Sequence, residues 1–138
     1  MTTPGVFRTQ EMAFRERGNG IRSLPLAGPE NSDRLLTGFT DIPPGQGIPS
    51  HYHDVEEFVL VLKGQATFFI GESEEHVTAM DATLVAAGTE HRFVNTGTET
   101  LRILWVYGGQ QATRTLVDTG VTYGHLDPYP QTADPGQP

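Results

Sequence analysis

Residues 45–64 read GQGIPSHYHDVEEFVLVLKG, and this stretch decides the fold. His51 and His53 stand two apart, and Glu57 follows four residues later. Side chains of an extended strand alternate between faces, so positions 51, 53 and 57 fall on one face. Two imidazoles and a carboxylate converging there make a metal-ligand set. Residues 88–95, GTEHRFVN, bring another histidine, His91, at the head of a second strand-like run. Three of the five histidines lie in these two stretches. His76 and His125 lie outside them and are read as packed or surface residues.

Outward from the histidines, residues 55–62 are apolar on both faces. Val55, Val59 and Val61 share parity with Glu57, while Phe58, Leu60 and Leu62 point the other way. A strand buried on both sides must be covered twice. One face lines a pocket; the other meets a second sheet, the N-terminal arm or another subunit. Residues 63–65 turn the chain into ATFFI, residues 66–70, which reads as a β-hairpin. Further short strands are expected at 75–79, 83–86, 91–96 and 101–107, with 97–99 as the last tight hairpin and a further strand at 113–117. Upstream, residues 1–20 form an arm with an edge strand near Val6–Thr9. Strands follow near Ile21–Leu26, placed at an edge by Pro25, and at Asp33–Ile42. Residues 21–120 make the barrel, and 121–138 a Pro-rich flexible tail. Short strands at near-regular spacing without helical periodicity predict an all-β sandwich or barrel.

The bulk composition agrees. A chain of 138 residues supports one domain with a real core. Gly (16) and Pro (10) are abundant, which favours a turn-rich β protein. A formal charge of −8 with no basic patch argues against nucleic acid and anionic membrane as partners. The absence of cysteine excludes disulfides and thiolate ligands and fits a reducing cytoplasm. No signal peptide is expected from MTTPGVFRTQ, and the longest apolar run, 58–62, is far too short to span a bilayer.

The spacing G-x5-H-x-H-x3-E-x6-G of residues 45–64 resembles the first motif of the cupin superfamily in full. The second cupin motif, G-x5-P-x-G-x2-H-x3-N, meets Met80, Ala86, Gly88, His91 and Asn95. Gly88, His91 and Asn95 match; Met80 and Ala86 replace a glycine and a proline. The resemblance covers residues 35–107. It implies a single-domain double-stranded β-helix, the jelly-roll barrel, in one unit. It also implies His51, His53, Glu57 and His91 as ligands of one divalent metal. Glu56 replaces Glu57 in that set if a β-bulge follows His53. Tyr52 is expected to pack away from the histidines, and Asn95 to fix a turn or orient a ligand. Phe93 shares parity with His91 and reads as an apolar pocket wall or plain core. Leu101, Ile103, Trp105 and Tyr107 share one face, and parity leaves open whether that face lines the pocket.

Imidazole and carboxylate are donors of borderline hardness, suited to Fe, Mn, Ni, Co or Zn. Tetrahedral zinc would close the site; octahedral coordination leaves two open positions for a bidentate oxygen substrate or for substrate and dioxygen. Glu57 has a second expected role, catalytic, in taking a proton. Small cupins with this motif include dioxygenases, isomerases, polyketide cyclases, decarboxylases and lyases, and others only bind ligands. The resemblance therefore implies a metal-dependent enzyme for an oxygenated small molecule. A dioxygenase leads, an isomerase, cyclase or lyase comes next, and a noncatalytic binder last. A homodimer is expected from the second apolar face of residues 58–62.

Overall fold

The computed structural model describes residues 5–125 and 127. Two six-stranded antiparallel sheets carry the fold. The first runs in the order β1 (Arg15–Gly18), β2 (Ile21–Ala27), β3 (Leu36–Ile42), β10 (Leu101–Tyr107), β5 (Glu57–Lys63), β8 (Ala82–Val85). The second runs β12 (Thr122–Gly124), β11 (Thr113–Leu116), β4 (His51–His53), β9 (His91–Val94), β6 (Gln65–Ile70), β7 (Ser73–Thr78). This is the expected jelly roll, with strands that switch sheets along the chain.

Burial follows the period of two. In β10, Leu101, Ile103, Trp105 and Tyr107 are buried and the residues between them are half-buried. The face left open by parity is therefore the inner one. Val59 and Val61 of β5 and Ile42 of β3 pack in the same core. Trp105 lies opposite Gly38 of β3, where a Cβ would strike the indole ring and the Leu24 carbonyl. The indole N–H donates to Thr40 Oγ1 at 2.9 Å, so the largest core side chain leaves no unmade donor.

Several expectations need correction. The residues expected as a strand near Val6–Thr9 contain none; Thr9–Glu11 is a 3-10 turn, and the edge strand lies later, at β1. β2 is not an edge, because β1 pairs beside it; that pairing stops at Arg15↔Ser23 and leaves Pro25 beyond its reach. The segments 55–70 and 91–107 are not hairpins. β5 and β6 belong to different sheets, as do β9 and β10, so the tight turns at Gly64 and Gly97 are crossovers. Gly64 adopts φ +89° with its Cα against Thr100 and Leu101, where a side chain has no room. Part of the expected tail is ordered: Thr122–Gly124 pairs with β11, and His125 is buried. Residues 126 and 128–138 of that tail lie outside the described residues.

Met80, which stands where the motif has glycine, takes φ +76°. Its N–H donates to the Val61 carbonyl at 2.7 Å, so the turn keeps a glycine-like conformation without glycine. No helix among the described residues is long and apolar enough to cross a membrane.

Candidate metal centre

His51 and His53 are the two inward side chains of β4, and Tyr52 between them is exposed. His91 heads β9 and is the cross-strand partner of His51. All three rings are 2 % exposed. The centroids lie 4.8 Å (His51–His53), 4.5 Å (His51–His91) and 5.2 Å (His53–His91) apart. One ligand atom from each lies within 4.8 Å of the others.

Glu57 reaches this cluster from the opposite sheet. The chain leaves β4 after His53, crosses at Asp54–Glu56 and enters the first sheet at Glu57. The convergence is therefore not that of one continuous strand with alternating faces: His51 and His53 point in from one sheet, Glu57 from the other. Glu57 is buried and Glu56 exposed, so the bulge alternative does not arise. Asp54 instead accepts the Thr113 N–H at 2.8 Å. Glu57 Oε1 lies 2.9 Å from His91 Nε2, and Oε2 3.6 Å from His53 Nε2.

Each imidazole is oriented by a backbone carbonyl at Nδ1. The acceptors are Pro49 O for His51 (2.7 Å), Thr113 O for His53 (3.0 Å) and Thr89 O for His91 (2.7 Å). A carbonyl can only accept, so each Nδ1 carries a proton and the Nε2 atoms of His51 and His53 present lone pairs; His91 Nε2 faces the Glu57 carboxylate, a pair that needs a proton or a metal ion between them. This is the tautomer that metal-binding histidines adopt when a carbonyl holds their other nitrogen. For His51 and His91 the carbonyl lies two residues upstream, in the turn that enters the strand. Asn95 is the structural amide expected: its Nδ2 donates to Ile42 O (2.8 Å) and Glu99 O (2.9 Å), and its Oδ1 accepts from Gly97 N. Phe93 packs on Phe68 at 4.6 Å within the core.

The electrostatics favour neutral His51 and His53 rings beside an anionic Glu57. Burial, aided by Arg114 and the neighbouring imidazoles, pushes His51 well below the usual histidine range. Burial lowers His53 to about 4, against the pull of Glu57. Burial alone would raise the Glu57 carboxyl; the hydrogen bond from His91, the influence of the adjacent His53 and His91 imidazoles and the Tyr107 hydroxyl outweigh it and bring it down to about 2. The donor set thus fits a divalent cation: three imidazole lone pairs, one carboxylate, and no thiolate.

Three side chains beyond the two motifs complete the surroundings. Tyr107, cross-strand partner of Glu57, favours the ionised carboxylate, and its hydroxyl stands 3.4 Å from His53 Nε2. Arg114 pairs with His53 across β11 and β4, and is buried. His125 stacks on Tyr107 at 4.2 Å. Parity marked Tyr107 only as one of two possible faces. Arg114 and His125 belong to no motif, and sequence spacing carried no signal for either.

A family model described as the cupin domain matches residues 38–107. The chain belongs to the cupin superfamily. Among curated proteins, this cupin is 28% identical over 95 residues to Protein SchB of Streptomyces halstedii, covering 68% of this chain and 69% of that one. It is 28% identical over 92 residues to Polyketide synthase CurC of Streptomyces cyaneus, covering 66% of this chain but only 60% of CurC's length. Among solved structures, the polyketide cyclase RemF from Streptomyces resistomycificus superposes with a TM-score of 0.72. That match covers 96% of this chain and 90% of RemF at 20% identity, a likeness of fold.

Proposed function

We propose that this cupin is a metal-dependent enzyme that closes a ring in an oxygenated, polyketide-like small molecule. The observation that carries the reading is the buried cluster of three imidazoles with the Glu57 carboxylate against two of them. The similarity to CurC, and the fold shared with RemF over most of both chains, support ring closure over the other reactions open to cupins.

His51, His53, His91 and Glu57 would hold the ion. When bound, a divalent ion supplies Lewis acidity to a carbonyl oxygen. The chain supplies the rest. Carbonyls at 49, 89 and 113 fix the imidazoles, so little reorganisation accompanies binding. Ring closure of a poly-carbonyl compound removes a proton from a carbon between two carbonyls. That carbon then bonds to a third carbonyl carbon, whose C=O π bond opens to an alkoxide that takes up the proton; the resulting hydroxyl leaves with the second hydrogen of the attacking carbon as water. A carboxylate as acidic as Glu57 is a weak base, so its proposed role is first that of a ligand. Burial of the site keeps bulk water from the reacting carbons.

The test incubates metal-loaded protein with small poly-β-carbonyl compounds, with and without oxygen. Ring-closed product formed without oxygen uptake supports the reading. Product formed only with stoichiometric oxygen uptake favours the dioxygenase, which the same donor set would serve. Binding without turnover under either condition favours a ligand-binding cupin.

A further inference from the structure

The strand register sets a row of charged side chains across the outer face of the first sheet: Glu16, Arg22, Asp41, Arg102 and Lys63, on five neighbouring strands. Asp41 is buried, and both arginines share it. Arg22 donates to its Oδ2 from Nε (3.3 Å) and Nη2 (3.1 Å). Arg102 donates to Oδ1 from Nε (2.7 Å) and to Oδ2 from Nη2 (2.8 Å). Arg102 alone therefore satisfies both carboxylate oxygens, and Arg22 is a second cation on the same anion. Three bases against two acids leave the row one net positive charge, on a chain of formal charge −8. The two guanidiniums are also held by aromatic rings. Phe14 lies 4.2 Å from Arg22 and 5.4 Å from Arg102, and Phe39 lies 5.7 Å from Arg102. Both arginines remain open to solvent, with side chains 45 % and 35 % exposed. Both line a cavity of about 280 Å³, whose other walls are Met12, Phe14, Phe39 and residues of the 3-10 turn. Each guanidinium has five N–H donors, of which those on Nε and Nη2 face Asp41. Residues 1–4, which precede this arm, read MTTP and bring no carboxylate to it.

We propose that this cavity is an anion site, in which Arg22 and Arg102 bind the carboxylate of a small acid with a flat apolar body. A planar guanidinium matches a planar carboxylate, and two forks already fixed by Asp41 and Phe14 lose little freedom on binding. The walls of Met12, Phe14 and Phe39 take up the apolar part, which a strongly hydrated anion such as phosphate lacks. The site lies on the outer face of the sheet whose inner face carries Glu57, so it stands apart from the metal centre and from the reaction proposed there.

The probe is benzoate, with benzamide as the uncharged control of the same shape and inorganic phosphate as the anion without an apolar body. Nuclear magnetic resonance of the full chain follows the Nε–H signals of Arg22 and Arg102 and the ring protons of Phe14. Benzoate is expected to shift all three saturably, with a Kd of about 1 mM, and the two controls to bind at least about tenfold more weakly. Arg22→Gln removes one cation and leaves Asp41 paired with Arg102. It is expected to bind benzoate about tenfold more weakly, and Arg22→Lys, which keeps the charge, to recover part of the loss. Unmoved Arg22 and Arg102 signals in the wild type overturn the proposal, whether the cavity is closed or a carboxylate outside the described residues already fills it. Shifts confined to the imidazoles of His51, His53 and His91 place benzoate at the metal centre and also overturn it. Benzamide or phosphate binding as tightly as benzoate overturns the class of ligand, and equal benzoate affinity in wild type and Arg22→Gln overturns the role of the arginine. If a variant fails to fold, the wild-type titration with its two controls decides.

Discussion

Glu57 Oε1 stands 2.9 Å from His91 Nε2, across the gap between the two sheets. The Nδ1 of the same ring already faces the Thr89 carbonyl at 2.7 Å. Both nitrogens of His91 thus face acceptors, while a neutral imidazole carries one N–H. A cation at Nε2, proton or metal ion, reconciles the pair.

Glu57→Gln removes the charge and keeps the shape. The account predicts metal affinity at least about tenfold weaker, with activity on a turned-over substrate restored by excess metal. Metal titration followed by a rate assay checks this. A rate still depressed about 10²–10⁴-fold at metal saturation would assign Glu57 a general-base role as well.

The metal-free protein should lose stability on acidification. His53 is lowered from 6.5 to about 4, and His51 and His125 are lowered well below 6.5, all led by burial. The unfolded chain therefore binds more protons between those values. Stability is complete above pH 6.5 and falls as pH drops toward 4, by on the order of 3 kcal/mol for His53 alone. Glu57, lowered from 4.5 to about 2, extends the loss from 4.5 toward 2. Urea unfolding of chelator-treated protein across this range measures it; a flat profile between pH 6.5 and 4 would contradict it.

Met80→Gly should stabilise the fold. Met80 is 71 % exposed, so its side chain contributes little packing, while its φ of +76° is costly for a residue with a Cβ. A gain of about 0.5–1 kcal/mol in denaturant unfolding is expected, the left-handed penalty being partly offset by the freedom glycine adds to the unfolded chain. A loss of stability would show that the turn is not strained.

On the outer face of the first sheet, Phe58 pairs with Leu84 of the edge strand β8 and with Val106 of β10. Phe58 is 39 % and Leu84 68 % exposed, so an apolar row reaches the open edge. A second copy of the chain packed there would cover it. Light scattering should give about 30 kDa, twice the 15.1 kDa chain, and Leu84→Glu should return the monomer. A wild-type monomer at micromolar concentration would rule this interface out.

How far the sequence reached depended on the range of the signal. The period of two placed His51, His53 and Glu57 together, and motif spacing added His91, because those patterns are local. The route was different: Glu57 meets the histidines by crossing between sheets, and no alternation within one segment records such a crossing. The same limit explains the turns at Gly64 and Gly97, where turn chemistry alone cannot tell a hairpin from a change of sheet. His125 was hidden differently. It follows a three-residue strand in Pro-rich sequence, and only the pairing of β12 with β11 brings it to Tyr107.

The central claim is that His51, His53, His91 and Glu57 hold one metal ion. Elemental analysis of purified wild type beside the variant carrying both His51→Ala and His53→Ala tests it most directly, with circular dichroism to confirm the fold. The account predicts about one transition-metal ion per wild-type chain and almost none in a still-folded double variant. Stoichiometric metal in the double variant, or a wild type that takes up none of Fe, Mn, Ni, Co or Zn when each is supplied, would contradict it.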